Sequence, residues 1–417
     1  MARLCGFVCR ALRKLDLRGF VLSSMVLALQ QACSLRQQAM LAGIYAATTI
    51  SKQALHKRLA RPAALFLQGC LAAALGSKLA SKLSCRPANF GRILLQDSTC
   101  ISLPPRLAGL FPGPSNQSAQ PQACLRSQCL YDLLTERFVS FTLCPFTRND
   151  QAAASDLLAF LRPRDMVLRD LGYFTIDSLR AIAAKGAFFL TRLRYGTTLF
   201  CPKNAQPIDL SKMLRPGASL DCEVLLGKRE KLPVRLLAFP LPPKVADERR
   251  RKARADRDKR LSHSEDYLYL LGWNIFLTNA PKEQLPQAIA AKLYRLRWRV
   301  EILFKAWKSH LGLHHVGKLG RHQVEVLVYG LLLFAVLMHN NTPLASAFTT
   351  AGPAHHPPPL SLLRVAQFFG SWLLTLLLAE LQPADLQQRM RQQLHAHCRY
   401  DARRRKNYVD MRSSILS

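Results

Sequence analysis

The sequence has few acidic residues and none of the cysteine spacings that are typical of zinc sites. It contains 59 Lys and Arg residues against 26 Asp and Glu residues, which gives a net charge of +33 and a pI of about 10.3. Among its 12 cysteines the nearest neighbours are Cys5 and Cys9, and Cys124 and Cys129, so no Cys-x2-Cys pair occurs. This pattern argues against a zinc finger and favours free thiols in a reducing compartment.

The sequence also lacks a long apolar run and a signal-peptide pattern at its start. The most apolar window, residues 326–338, has 13 residues between Glu325 and His339, whereas a membrane-spanning helix needs about 20. The first residues, Met-Ala-Arg-Leu-Cys-Gly-Phe, do not combine a charged region, an apolar region and a cleavage site. We therefore expect residues 326–338 to form a buried core helix, and the protein to be cytoplasmic and nucleoid-associated, without membrane contact.

The excess of positive charge predicts a polyanionic partner. Such a charge drives binding to nucleic acid or to an anionic membrane surface. Basic residues occur in every region and are mixed with 49% hydrophobic residues, unlike a disordered basic tail. Double-stranded DNA bound over an extended surface is therefore the favoured partner. The length of 417 residues is enough for about two to four domains.

Residues 294–308 form the most informative segment. On an α-helix, four of its polar residues fall within an arc of about 60°, namely Tyr294, Arg297, Glu301 and Lys308. The opposite side is apolar and suited to a core: Leu293, Leu296, Val300, Leu303, Trp307 and Leu311. A solvated charged face is one interpretation. A single carboxylate among cations, with an aromatic hydroxyl one turn away, better fits a face that meets a polyanion and a divalent metal ion.

The spacing Tyr-x2-Arg-x3-Glu-x6-Lys resembles the signature of a known family. All four positions match the YREK signature of bacterial DDE transposases of the insertion-sequence-four group, and Arg-Trp-Arg-Val-Glu followed by Lys-Ala-Trp-Lys is also similar to that family. The resemblance implies that Glu301 is the third catalytic metal ligand. It also implies that Tyr294, Arg297 and Lys308 hold DNA phosphates. Trp298 and Lys305, on the same segment, complete the predicted DNA-binding set there.

Two aspartates at the ends of predicted strands complete the candidate site. Asp97 follows the β-prone run that starts at Arg92, and Asp170 follows the run that starts at Met166. An aspartate at a strand end is often only a turn or cap residue. However, Asp97-Ser-Thr and Asp170-Leu-Gly-Tyr-Phe resemble the first and second catalytic strands of the same family. Asp97, Asp170 and Glu301 are thus the expected catalytic residues and metal ligands, for Mg²⁺ with Mn²⁺ as a substitute.

Residues 36–59 form a candidate helix-turn-helix. An Ala-rich helix near 37–46 is followed by a short turn and by a second helix, for which Ser51 is a suitable N-cap. In a helix-turn-helix the second helix meets the DNA, and its candidate contacts here are Gln53, Lys57 and Arg58. Any short basic amphipathic helix has a similar pattern, so this interpretation rests on the pattern alone.

The order of elements predicts an α/β fold, because a strand, a hairpin and alternating helices and strands follow one another from residue 91 onward. The resemblance implies a ribonuclease-H-like catalytic core with a β-strand insertion, and helical N-terminal and C-terminal regions. The predicted parts are a helical DNA-binding region at 1–88, the first part of the core at 89–195, a β-rich insertion at 196–272, the second part of the core at 273–345, and a linker with a helical C-terminal region at 346–417.

The resemblance implies a DNA transposase that binds the terminal inverted repeats of its insertion sequence as a homodimer. It would cut the ends and transfer the 3′ hydroxyls to target DNA by two-metal phosphoryl transfer. Two alternatives stay open. A ribonuclease-H-like DNA nuclease would cut without joining, and a catalytically inactive DNA-binding descendant would be indifferent to loss of the carboxylates. His314 and His315 are expected at the surface, outside the catalytic set.

Overall fold

The computed structural model describes residues 1–9, 15–29, 35–46, 50–76, 90–114, 121–255, 264–310 and 320–349, together with Arg364 and Phe368. Most of the predicted C-terminal region at 346–417 lies outside these residues, as do His314 and His315. Arg364 and Phe368 are helical. The nine cysteines of the described part form no disulfide, which agrees with the expectation of thiols.

Four helices form the N-terminal part of the described chain: α1 (Leu17–Leu29), α2 (Leu35–Ala46), α3 (Lys52–Arg58) and α4 (Arg61–Gly76). Ser51 caps α3 as predicted, because its hydroxyl accepts a 3.2 Å hydrogen bond from the backbone N–H of Ala54. A buried 3.1 Å hydrogen bond from Gln38 Nε2 to Ser24 Oγ joins α2 to α1. The predicted turn between α2 and α3 is Thr48-Thr49-Ile50, of which only Ile50 belongs to the described residues.

The described strands form one mixed sheet: β1 (Ile93–Leu103), β2 (Ala123–Asp132), β3 (Arg137–Pro145), β4 (Met166–Arg169), β5 (Phe188–Arg192), β6 (Leu199–Phe200), β7 (Leu220–Leu226), β8 (Leu232–Pro240) and β9 (Trp273–Thr278). Their order across the sheet is β3-β2-β1-β4-β5-β9-β8-β7-β6. The β1–β4 and β4–β5 pairs are parallel, and the other pairs are antiparallel. Ile93, Leu94 and Leu95 are all buried, as expected for a strand that is covered on both faces.

Seven further helices are described: α5 (Ile176–Ala184), α6 (Leu210–Met213), α7 (Pro243–Arg254), α8 (Glu265–Leu270), α9 (Gln287–Arg295), α10 (Trp298–His310) and α11 (Arg321–Thr349). α5 connects the parallel strands β4 and β5, and Thr175 caps it by accepting a hydrogen bond from the N–H of Ser178.

The described helices and the nine-stranded sheet together confirm the prediction of an α/β fold, in the form of a mixed fold around a large central sheet.

The segment 196–272, predicted as a β-rich insertion, contributes β6, β7 and β8 to this same sheet. β8 pairs with β9 over six residues, from Arg235–Thr278 to Pro240–Trp273. The consecutive residues Leu236, Leu237 and Ala238 are fully buried, so both faces of β8 are covered here. The segment thus continues the central sheet through β9 instead of packing as a separate layer.

The window 326–338 lies in α11, and the structure confirms the prediction of a buried helix. By length and composition, residues 321–339 could cross a membrane, but 83% of that apolar stretch is buried inside the protein. α11 packs against α1, α4 and β3. Its backbone comes close to α1 at Gly330, where a Cβ atom would lie 3.0 Å from the carbonyl oxygen of Ser24.

The prediction of one continuous helix over 294–308 was wrong. The chain turns at Leu296 and Arg297, between α9 and α10. Here the backbone N–H groups donate to the carbonyl oxygen three residues earlier, from Leu296 to Leu293 and from Arg297 to Tyr294. Leu293, Leu296, Val300 and Leu303 are still buried, which confirms the predicted apolar side at these four positions. The Trp307 side chain and Leu311 lie outside the described residues. Arg297, in this turn, lies close to the carboxylates of Glu301 and Asp97.

Candidate active site

The pairing of β1 with β4 brings the two predicted aspartates to neighbouring strands. Gln96 and Arg169 are the last partners in this parallel ladder, and Asp97 and Asp170 are the next residues along each strand. The prediction that Asp97 ends its strand was wrong, since pairing with β2 continues β1 to Leu103. Asp97 nevertheless follows Gln96, the last residue of β1 that pairs with β4. Asp170 likewise follows Arg169, the last residue of β4 that pairs with β1.

The Asp97 carboxylate is largely buried, with 14% of its side chain exposed. Its Oδ1 accepts a 2.8 Å hydrogen bond from the backbone N–H of Ser98. The pKa of Asp97 is raised to about 7, mainly by burial and to a smaller extent by the charges of Glu301 and Asp170. The Ser98 N–H and Arg297 oppose this rise. Asp97, Asp170 and Glu301 are therefore close enough to interact electrostatically, although they come from β1, the end of β4 and α10.

Arg297 is the cation of this group. Its Nη1 lies 2.6 Å from Glu301 Oε1 and 3.8 Å from Asp97 Oδ2, and 9% of its side chain is exposed. The guanidinium also lies 5.9 Å from the centre of the Tyr294 ring, within the range of a cation–π contact. Arg297 thus partly neutralises the carboxylates while remaining largely buried.

Tyr294 faces the interior of the protein. Its hydroxyl donates a 3.2 Å hydrogen bond to the main-chain carbonyl oxygen of Arg169, the residue before Asp170. Burial raises the pKa of Tyr294 to about 12, so the hydroxyl keeps its proton near neutral pH. The bond joins the last turn of α9 to the end of β4, and so links two of the segments that carry the candidate site.

Asp150 is a further carboxylate beside the site, and the sequence analysis missed it. Its Oδ1 accepts hydrogen bonds from Ser98 Oγ at 2.8 Å, Arg126 Nη1 at 2.8 Å and Gln128 Nε2 at 3.2 Å. Gly172 leaves room for it, since a Cβ there would lie 3.0 Å from Asp150 Oδ2. No motif marks Asp150, because its partners come together only through the β1–β2 pairing.

A buried polar pair lies behind the aspartates. Gln96 donates to the carbonyl oxygen of Ala153 at 3.0 Å, and Arg169 donates to Ala154 O at 3.1 Å and to Ser178 Oγ at 2.6 Å. Arg169 is fully buried, and this burial lowers its pKa to about 10. The bonds to Ala153 and Ala154 attach the loop that contains Asp150 to Gln96 of β1 and Arg169 of β4. These two residues directly precede Asp97 and Asp170.

The residues of the site fit a divalent metal ion by their chemistry. Carboxylate oxygens are the ligands that Mg²⁺ and Mn²⁺ prefer, and the proposed site offers those of Asp97, Asp170 and Glu301. In the described part of the chain, no three His, Cys, Asp or Glu side chains are grouped as a metal site. Instead, the Arg297 guanidinium contacts the carboxylates of Glu301 and Asp97.

The predicted DNA-binding residues fall into two groups. Tyr294 and Arg297 are buried, whereas Trp298 is 63% exposed and Lys305 is exposed on the same helix, α10. Lys308 also belongs to α10, but its side chain lies outside the described atoms. Gln53, Lys57 and Arg58 are exposed on α3. DNA contact by these residues remains a prediction.

Sequence comparison connects these observations to a family. Residues 88–337 match the model described as "Transposase DDE domain", which is more than half of the chain. The transposase for insertion sequence element IS231B of Bacillus thuringiensis subsp. berliner is 33% identical over 310 residues, 69% of this chain and 64% of that protein.

Two further relatives agree with this match. The transposase for insertion sequence element IS231C of the same organism is 33% identical over 316 residues, 70% of this chain and 66% of that protein. The transposase for insertion sequence element IS1151 of Clostridium perfringens is 27% identical over 273 residues, 60% of this chain and 56% of that protein. The chain thus spans just under two thirds of the length of its IS231 relatives. Because the domain model matches 250 residues, more than half of the sequence, the chain belongs to the DDE transposase family.

Proposed function

We propose that this chain is a DNA transposase that binds the terminal inverted repeats of its own insertion sequence, cuts the ends and transfers the 3′ hydroxyls to target DNA. The observation that carries the proposal is the position of Asp97 and Asp170 directly after the paired residues Gln96 and Arg169 of β1 and β4, with Arg297 in contact with both Asp97 and Glu301. The net charge of +33 supports a DNA substrate. The printed names of the relatives, which are transposases for insertion sequence elements, support the same substrate.

The catalytic unit would be a ribonuclease-H-like core. The order β3-β2-β1-β4-β5, with β1, β4 and β5 parallel and β2 antiparallel, supports this assignment. The β-rich segment at 196–272 would extend the core, and the helices within 1–88 would bind DNA. In open sheets ligands meet the carboxyl ends of parallel strands, and Asp170 follows the carboxyl end of β4.

Asp97, Asp170 and Glu301 would hold divalent ions, Mg²⁺ or Mn²⁺, which when bound activate the attacking oxygen and stabilise the leaving oxygen of phosphoryl transfer. Neighbouring groups of the chain would orient these carboxylates. The Ser98 N–H fixes the Asp97 carboxylate, and the Tyr294 hydroxyl holds the backbone before Asp170. Such orientation matters because small displacements of reacting groups cost large factors in rate.

DNA would lie across the exposed side of α10. Trp298 offers an aromatic surface on which a base stacks, and Lys305 and Lys308 would pair with phosphates. On α3, Gln53, Lys57 and Arg58 would contact the duplex. Phosphate contacts supply affinity and little sequence information. A homodimer that brings the two ends together, acting at the nucleoid, completes the proposal.

Two rival functions make different predictions for one experiment. A ribonuclease-H-like nuclease would cut the element end without joining it to another duplex. A catalytically inactive DNA-binding descendant would bind the end and cut nothing. The discriminating assay follows cleavage and strand transfer on a duplex that carries the element's own end, with Mg²⁺, for the wild type, Glu301→Gln and Glu283→Gln.

Glu283 supplies the matched control because it is an exposed carboxylate just before α9, outside the site. We expect joined products from the wild type and from Glu283→Gln, and none from Glu301→Gln, with end binding retained in all three. Cutting without joining by the wild type would support the nuclease instead. Binding without cutting by the wild type would support the inactive descendant.

A further inference from the structure

The guanidinium of Arg297 contacts two of the three carboxylates that would hold a divalent ion. Its Nη1 lies 2.6 Å from Glu301 Oε1 and 3.8 Å from Asp97 Oδ2. A magnesium ion binds carboxylate oxygens at about 2.0–2.1 Å, so it would draw on the same two carboxylates that Arg297 contacts. A dication and a guanidinium also repel each other strongly at such distances in a partly buried site. The two cations therefore compete for one set of ligands.

We propose that Arg297 is the internal counter-ion of the metal-free site, and that a divalent ion binds only by displacing its guanidinium from Glu301 and Asp97. The inference rests on the proposed metal-dependent function. It assigns Arg297 a role within the protein that precedes any contact with DNA. Metal affinity is then set partly by the strength of the Arg297 contacts, and not by the three carboxylates alone.

Two further observations indicate that the Arg297 side chain can leave this position. Its Nε–H is buried and has no hydrogen-bond partner among the described residues, so the guanidinium is incompletely satisfied here. Arg297 also lies in the turn between α9 and α10. A change in its side-chain direction therefore does not require either helix to unwind. An exposed surface lies nearby, since the next residue, Trp298, is 63% exposed.

The test measures Mn²⁺ affinity of the full chain without DNA, by electron paramagnetic resonance of free Mn²⁺ and by calorimetry. Asp170→Asn identifies the site, since it removes a proposed ligand that Arg297 does not contact at ion-pair distance. Arg297→Gln removes the competing cation. Arg295→Gln is the matched control, because Arg295 is an exposed cation two residues away. Arg297→Lys retains the charge but loses the planar fork of donors.

We expect Asp170→Asn to weaken Mn²⁺ binding and Arg297→Gln to strengthen it by about 10- to 100-fold, the factor that corresponds to one charge-assisted hydrogen bond. Arg297→Lys should give a smaller gain, and Arg295→Gln almost none. Circular dichroism shows whether Arg297→Gln folds. If it does not, Arg297→Lys is compared with Arg295→Gln, and tighter Mn²⁺ binding by Arg297→Lys supports competition by Arg297.

Two results would overturn the inference in distinguishable ways. If Asp170→Asn weakens binding while neither Arg297 variant binds Mn²⁺ more tightly than the wild type, the metal site exists and Arg297 does not compete for it. If none of the four variants changes Mn²⁺ affinity, the proposed metal site itself is wrong, and the role of Arg297 is wrong with it. Equal gains in Arg295→Gln and Arg297→Gln would also overturn it, since general electrostatics would then explain the effect.

Discussion

The hydroxyl of Tyr294 donates a hydrogen bond to the carbonyl oxygen of Arg169, across 125 residues of sequence. The bond connects the end of α9 with the end of β4, immediately before Asp170. Tyr294 belongs to the Tyr-x2-Arg-x3-Glu-x6-Lys signature, and the family resemblance predicts that it contacts DNA. In the structure its side chain instead lies inside the protein, beside the residue that precedes Asp170.

Tyr294→Phe should lower the free energy of unfolding by about 1 kcal/mol, because the buried Arg169 carbonyl loses its partner. Urea denaturation measures the loss. Tyr195→Phe is the control, since Tyr195 is 52% exposed and its hydrogen bond to Ser264 can be replaced by water. Unchanged stability of Tyr294→Phe together with weaker DNA binding would contradict the structural role and favour a contact with phosphate.

The raised pKa of Asp97 predicts the pH dependence of stability in the metal-free protein. The folded pKa of about 7 lies above the ordinary aspartate pKa of 3.8, so the folded state binds this proton more tightly than the unfolded state. The resulting stabilisation is complete below about pH 4 and is lost as the pH rises through about 7.

Asp97→Asn removes this dependence. Between pH 4 and pH 8, the wild type should lose up to about 4 kcal/mol of unfolding free energy relative to the variant. Denaturant unfolding at several pH values, with a chelator present, measures the difference. Parallel curves for the two proteins would show that Asp97 titrates normally, and the account of its burial beside Glu301 and Asp170 would fail.

Asp150→Ala should slow DNA cleavage by about 10- to 100-fold, the effect typical of residues that orient metal ligands. The substitution removes the acceptor of Ser98, which follows Asp97, and leaves Arg126 without its carboxylate. Asp177→Ala is the control, because its ion pair with Arg180 is exposed and exposed pairs contribute little. Equal cleavage rates for the two variants would exclude an orienting role for Asp150.

Much of the fold followed from local patterns, but the details of the site did not. The strand before Asp170 and the buried helix at 326–338 were recognised because apolar runs and lengths are local signals. The turn at Leu296 and Arg297 was missed, since neither glycine nor proline marks it. Asp150 was missed because its partners are 22 to 52 residues away in sequence and meet only when β1, β2 and the following loop assemble.

Gly330→Ala should destabilise the protein by about 1–3 kcal/mol, the usual cost of overpacking a core. A Cβ at Gly330 would lie 3.0 Å from the backbone oxygen of Ser24 and 3.1 Å from its carbonyl carbon, so α1 and α11 would have to separate. Gly76→Ala is the control, because a Cβ there meets nothing within 4 Å. If thermal unfolding gives equal midpoints for both variants, α1 and α11 do not cross closely at Gly330.

The central claim is that Asp97, Asp170 and Glu301 form one divalent-metal site, and diffraction tests it most directly. Crystals of the protein grown with its element-end DNA and Mn²⁺ would be measured at a wavelength where manganese scatters anomalously. We expect an anomalous peak coordinated by carboxylate oxygens of these three residues, with Arg297 moved away from Glu301. Manganese bound only elsewhere, or no peak while Arg297 still contacts Glu301 and Asp97, would contradict it.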